Sequence, residues 1–190
     1  MSLMNDTARA IREQIRVGEF NGVTSGIAPG FAQANLVILP KDLAFDFLLF
    51  CQRNPKPCPV LEVTDIGSWE AQITARESDL RFDVPKYRVY KNGELVDEPH
   101  SIKRYWRKDF VSFLLGCSFS FETALIDAGL EIRHITAKTN VPMYITNIEC
   151  TPAGAFSGPM VVSMRPFIPQ DIIKAVQITS RFPAVHGSPI

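Results

Sequence analysis

The chain has 190 residues, 46% of them hydrophobic and 21% charged, which supplies one or two cores and excludes disorder over most of its length. Twenty Lys and Arg balance twenty Asp and Glu, so no net field draws it to nucleic acid or to an anionic membrane surface. The richest apolar runs, 43–51 and 110–117, are interrupted by Asp46 and Ser112 and fall far short of the roughly 20 residues that span a bilayer, so no membrane helix is expected.

In chain order, Ile11 and Ile15 share a face, Arg9 can pair with Glu13, and Gly18 follows the last turn, which predicts a helix over 6–17 capped by Asp6. Charged residues reach the N-terminus before any apolar run, unlike a secretory signal, and this points to a cytoplasmic protein with reduced cysteines. The glycine-punctuated segment 22–30 matches no nucleotide-binding fingerprint and reads as an ordered loop. A strand over 35–40, a helix over 41–54 stopped by Pro55, Pro57 and Pro59, and a strand over 60–64 form a strand–helix–strand unit with the two strands parallel. Asn92-Gly93 between alternating runs predicts a hairpin over 87–97. Its register sets Lys91 opposite Glu94, Tyr90 opposite Leu95, Val89 opposite Val96 and Arg88 opposite Asp97. Apolar spacings of three, four and seven over 108–129 predict one long helix, or two meeting near Ser118, with Gly129 just past the end. Strands follow over 143–148 and 160–165, and Pro169 opens a last helix carrying Ile172, Ile173 and Val176.

The fold class this implies is α/β in two lobes. Residues 1–70, with 185–190, form an α/β sandwich-type lobe with a parallel strand–helix–strand unit; residues 71–184 form an α+β two-layer lobe containing the hairpin.

Candidate chemistry gathers around residues 116–122, where Cys117, Ser118, Ser120 and Glu122 surround a predicted helix start. Backbone N–H groups there suit an anion and would lower the Cys117 pKa; equally, Ser118 can be a cap and Cys117 a core residue. Arg165 ends a strand and can hold a small carboxylate in bidentate fashion, or make a structural ion pair. Arg133 and His134 follow the predicted helix, and His134 can move a proton near neutral pH. Asn35, Asn140 and Asn147 lie beside strands and can orient a carboxylate or serve the backbone. The four cysteines and three histidines show no metal-site spacing, no G-x-S-x-G elbow is present, and neither a metal nor an organic cofactor is implied.

Several long runs carry a family resemblance: Ala28-Pro-Gly-Phe-Ala-Gln-Ala-Asn35, Leu114-Leu-Gly-Cys-Ser-Phe-Ser-Phe-Glu122, Asn140-Val-Pro-Met-Tyr144, Gly158-Pro-Met-Val-Val-Ser-Met-Arg165 and Ser180-Arg-Phe-Pro-Ala-Val-His-Gly187. Together they resemble the hydro-lyase family associated with D-glutamate cyclase. The resemblance implies two α/β lobes and a carbon–oxygen lyase acting on a small amino or carboxylic acid, such as D-glutamate closing to 5-oxo-D-proline with loss of water. It also implies further strands after the His186-Gly187 loop, so the C-terminal part of the family fold is expected to be missing here and a homodimer to cover the open face. On this reading Glu122 or His134 carries protons. Cys117 is a covalent participant or a polar wall, and Ser118, Ser120, Arg133, Asn140, Asn147 and Arg165 bind substrate. The competing expectation is a non-catalytic small-carboxylate binder or a partner-binding subunit.

Overall fold

A computed structural model describes residues 2–190, with side chains from Ala8 onward. The first helix, α1, is Ser2–Arg16, so it begins before Asp6; the Asp6 side chain, expected as its cap, lies outside the described residues. At its other end Arg16 donates through Nε and Nη2 to the buried Asp83 carboxylate at 2.7 and 2.8 Å, tying α1 to the irregular segment around residues 71–85.

β1 (Ala34–Pro40), α2 (Lys41–Arg53) and β2 (Val60–Val63) form the expected strand–helix–strand unit. Pro40 hands the chain directly to α2, whose first amide, on Lys41, donates to the Asp109 carbonyl at 2.8 Å. At the other end the Asn54 amide and side chain both donate to the Phe50 carbonyl, at 3.0 and 2.8 Å. The prolines that follow cannot continue a helix. Phe47 and Cys51, one turn apart, are its buried face.

The hairpin is β3 (Val89–Lys91) and β4 (Glu94–Asp97), turning on Asn92 and Gly93 with φ of 51° and 83°. Both lie in the left-handed region that the tight hairpin turn requires. Lys91 faces Glu94 and Tyr90 faces Leu95 as expected, but an irregularity then sets Val89 opposite Asp97. The expected pairs Val89–Val96 and Arg88–Asp97 are therefore absent. Arg88 instead meets Glu98 at 3.1 Å, and Asp97 accepts from the Tyr105 hydroxyl at 2.7 Å.

The largest correction concerns residues 108–129. β5 (Phe110–Gly116) is a strand, followed by a 3₁₀ turn (Ser118–Phe121) and a short helix α3 (Glu122–Asp127), with Gly129 at φ 80° just past its end. β5 lies between β1 and β2 and is antiparallel to both, so the sheet order is β1-β5-β2. β1 and β2 do run in one direction, but they do not pair. The reason for the misreading is burial. Every residue from Val111 to Gly116 is buried, so the strand reads as a continuous apolar run that periodicity cannot separate from a buried helix. Val111, Phe113 and Leu115 pack against Phe47 and Cys51, while Leu114 packs on the other face with Ala71 and Leu80. Phe113 is fully buried and meets Phe47 edge-on with ring centroids 4.9 Å apart. Its burial stabilises the fold by about 1.5–3 kcal/mol.

α4 (Arg133–Thr136), β6 (Met143–Glu149), β7 (Pro159–Ser163) and α5 (Pro169–Thr179) complete the elements. Phe121, Leu125, Leu130, Ile132, Ala175 and Val185 form the core under α3 and α5. In α5 the buried side is Ala175 and Thr179, whereas Ile172 and Ile173 are exposed. β6 and β7 pair antiparallel as a two-stranded ribbon that leaves Met143, Tyr144, Ile145 and Val161 exposed. Among the described residues, no helix is long and apolar enough to cross a membrane.

Candidate active site

The end of β5 delivers the site. The chain leaves the sheet at Gly116, turns through Ser118–Phe121 and begins α3 at Glu122, so Ser118 and Glu122 sit on consecutive turns beside the sheet's centre. Glu122 has no exposed surface. A buried carboxylate needs partners, and three side chains supply them. Arg165, two residues past β7, donates to Glu122 Oε1 from Nε at 2.9 Å and from Nη2 at 2.5 Å. His134 Nε2, on α4, lies 3.0 Å from the same oxygen, and the Ser25 hydroxyl donates to Oε2 at 2.8 Å. Ser25 Oγ is also 3.3 Å from His134 Nε2. Serine and glutamate thus meet the same imidazole nitrogen, which differs from a serine-protease relay, where they hold opposite nitrogens.

Arg165 reaches outward as well. Nη2 donates to Ser118 Oγ and Nη1 to Ser163 Oγ, both at 3.0 Å, and the guanidinium carbon stands 5.0 Å from the centre of the Phe121 ring. Of the five guanidinium N–H groups, these contacts use four and leave one, on Nη1. Ser118 and Ser163 are 3.3 Å apart, forming a hydroxyl pair in front of the arginine.

This polar group stands at the wall of an open cleft of about 2460 Å³. Cys117, Ser118, Asn140, Ser163 and Arg165 line it, whereas Glu122, His134 and Ser25 lie behind the wall. The sequence candidates therefore separate into three sets. Ser118, Arg165, Glu122 and His134 come together. Ser120 serves the backbone: its hydroxyl accepts from the Gln33 amide at 2.8 Å. Arg133, Asn140 and Asn147 are exposed and outside the cluster, Asn140 accepting from the adjacent Val141 amide at 2.9 Å. Ser25 and Ser163 belong to the cluster but were not singled out by spacing. Both lie in segments the sequence marks, the glycine-rich loop and the Ser163-Met-Arg165 run, yet nothing local says that they meet Glu122 or Arg165.

Electrostatics separate the two readings of Cys117, an acidified thiol at a helix start or a core residue: burial pushes its thiol up, against the pull of the Phe119 amide and the Arg165 charge, so the first does not hold. The amides there are already engaged: Phe119 N–H faces the Cys117 sulfur, and Ser120 N–H donates to the Cys117 carbonyl at 3.0 Å. Burial likewise pushes His134 below its usual pKa of 6.5, the attraction of Glu122 acting in the opposite sense. A neutral imidazole beside a neutralised Glu122–Arg165 pair leaves the buried cluster without net charge.

Fold and site thus define an α/β protein with an arginine presented to an open cleft and a buried carboxylate–imidazole pair directly behind it. Residues 111–190 match the family described as D-glutamate cyclase. That span includes Ser118, Glu122, His134, Ser163 and Arg165 but not Ser25. The chain is 60% identical over 184 residues to a Geobacillus kaustophilus (strain HTA426) protein named "Putative hydro-lyase", the match covering 97% of this chain and 70% of that protein. It is 61% identical over 180 residues to "Putative hydro-lyase YcsI" of Bacillus subtilis (strain 168), covering 95% and 70%. A third relative of the same name, from Stutzerimonas stutzeri (strain A1501), is 60% identical over 181 residues, covering 95% and 68%. The chain belongs to this hydro-lyase family.

Proposed function

We propose that the chain is a hydro-lyase acting on a small amino or carboxylic acid, with D-glutamate closing to 5-oxo-D-proline and water as the specific reaction. The observation that carries this reading is Arg165 at the cleft wall, flanked by two hydroxyls and backed by the buried Glu122–His134 pair. The family relationship supports it independently.

Ring closure of glutamate joins the amine nitrogen to the side-chain carboxyl carbon and expels one carboxyl oxygen as water. The site must fix a carboxylate, take a proton from the ammonium and protonate the departing oxygen. The remaining Nη1–H of Arg165, with the Ser118 and Ser163 hydroxyls, receives the α-carboxylate at the cleft wall. Glu122 orients Arg165 through two N–H groups of the guanidinium, neutral His134 holds Oε1 through its Nε2–H, and the other carboxylate oxygen, Oε2, takes the proton. To reach them, the substrate ammonium takes the place of the Ser25 hydroxyl, a position 2.8 Å from a carboxylate oxygen and 3.3 Å from the imidazole nitrogen. Cys117, kept protonated by burial and lining the same cleft, is the donor for the leaving oxygen. Asn140, also at the cleft wall, would contact the far end of a substrate.

The internal spending of four Arg165 N–H groups favours a second reading, a binder that holds a carboxylate weakly and does no chemistry. Incubating the protein with D-glutamate, and with L-glutamate as control, while following 5-oxoproline by mass separates the two. Accumulation from one enantiomer is the expected result. Binding of D-glutamate by calorimetry without any product retires the cyclase reaction in favour of the binder.

A further inference from the structure

His186 lines the cleft and stands outside the Glu122 cluster. It follows a 3₁₀ turn, Pro183–Val185, and takes a left-handed backbone with φ 69°. A residue other than glycine keeps that conformation when its surroundings impose it, and such positions gather at functional sites. Here both neighbours impose it. Val185 is buried in the core with Phe121 and Leu125. Gly187 donates its amide to the Phe182 carbonyl at 2.8 Å and sits so close that a Cβ would strike the Thr179 and Phe182 carbonyls.

The ring is fixed as well. Lys56 stands between Pro55 and Pro57, which restrict the backbone on either side of it. Its carbonyl lies 2.9 Å from His186 Nδ1, and its Nζ donates to the carbonyls of His186, Gly187 and Ser188 at 3.1, 2.5 and 2.5 Å. A carbonyl only accepts, so Nδ1 carries the proton and the lone pair of the neutral imidazole is on Nε2. Nε2 has no hydrogen-bond partner among the described residues and is not a buried atom, so a free base is offered by a ring that lines the cleft. Both segments meet the end of β5: the Gly116 amide donates to the Pro59 carbonyl at 2.8 Å, and Ala184 and Val185 leave no room for a Cβ on Gly116. The next residue is Cys117.

Ring closure as set out above leaves one proton unassigned. Two protons leave the nitrogen between ammonium and lactam N–H, and two join the departing carboxyl oxygen to make water. Glu122 Oε2 takes one of the first pair and Cys117 gives one of the second. Resting on that reading, we propose that His186 faces the side-chain carboxyl end of the substrate and carries the remaining proton through Nε2. Cys117 protonates the side-chain carboxylate, and the amine lone pair forms the N–C bond while the carbonyl pair moves onto oxygen. Nε2 takes the second proton from the nitrogen. The carbonyl then re-forms, the C–O bond breaks, and the hydroxyl leaves as water with the proton that Nε2 returns. Nitrogen and oxygen are then bonded to the same carbon, so one imidazole serves both. The proton on Glu122 restores the Cys117 thiol, and none is gained or lost overall.

Two measurements test this. In His186→Asn the side-chain amide can still donate to the Lys56 carbonyl and asparagine tolerates the left-handed backbone, but no base stands at the Nε2 position. Its kcat for 5-oxoproline formation from D-glutamate should fall about 100-fold or more, with KM and Tm near those of wild type. In wild type, diethyl pyrocarbonate should label His186 and the exposed His100 while sparing the buried His134, and 5-oxo-D-proline should block the label at His186 alone. This labelling decides even where the variant does not fold. A wild-type kcat in His186→Asn, an unlabelled His186, or labelling that persists there while calorimetry shows 5-oxo-D-proline bound overturns the proposal. Protection of His186 without any turnover retires the cyclase reaction and upholds His186 as a wall of the ligand site; absence of all binding fails the functional reading itself, and the proposal with it.

Discussion

Glu122 is the residue on which the cluster depends. Its carboxylate is buried and faces Arg165, whose side chain is 8% exposed, so each ion supplies the opposite charge that offsets the other's lost hydration. Glu122→Gln keeps the shape but leaves the guanidinium buried without its counter-ion, and a loss of about 3–5 kcal/mol is expected by urea denaturation. His134 gives a different signature. Its pKa is lowered in the fold by burial, so below about pH 6.5 the unfolded chain takes up a proton that the folded chain refuses. Stability is therefore unaffected above that pH and falls as the pH drops through it, by up to about 1.4 kcal/mol per pH unit. Denaturation curves of wild type and His134→Gln between pH 7.5 and pH 5, on the order of the titration window, should diverge in slope only on the acid side. A constant difference between the two across that range would mean that His134 is not buried in its neutral form.

At the scale of elements, β5 is both the centre of the sheet and the carrier of the site, and the turn at its end is tightly packed. A Cβ at Gly116 would collide with the Ala184 carbonyl and approach Val185 Cα to 2.9 Å, both backbone positions that cannot swing aside. Gly116→Ala must push the 183–185 turn away from the strand. Overpacking of this kind costs about 1–3 kcal/mol, measurable as a fall in Tm of roughly 3–10 °C for a chain of this size. The same strand shows what local pattern carries and what it does not. The α2 helix with its proline stop, the Asn92-Gly93 turn and the Pro169 helix start were legible because each is set by neighbours a few residues apart. β5 was misread because burial on both faces erases the alternation that distinguishes a strand, and only the pairing with β1 and β2 resolves it. Ser118, Glu122, His134 and Arg165 were recognised by chemical type. Ser25 was not, because its role rests on a contact 97 residues away in the chain.

For the whole molecule, the cleft draws its wall from β1, the 56–57 loop, the end of β5, β7 and the 186–190 segment. A ligand seated against Arg165 therefore joins elements distant in sequence and stabilises the fold as a unit. At 100 times its Kd a ligand that binds only the folded chain adds about 2.7 kcal/mol, which for this size raises Tm by roughly 5–10 °C. D-glutamate and 5-oxo-D-proline should both produce such a shift, because each keeps the α-carboxylate proposed to sit against Arg165, Ser118 and Ser163. Arg165→Lys retains the charge but loses the planar fork, and loss of a charged hydrogen bond of about 1.5–3 kcal/mol should weaken binding by about 10–100-fold and reduce the shift accordingly. Thermal unfolding with each compound, before and after prolonged incubation, also reads out turnover. In wild type the D-glutamate shift should drift toward the 5-oxo-D-proline value as substrate is consumed, while in Arg165→Lys the drift should slow. A shift of equal size in wild type and Arg165→Lys would remove Arg165 from the binding site and leave it the structural partner of Glu122.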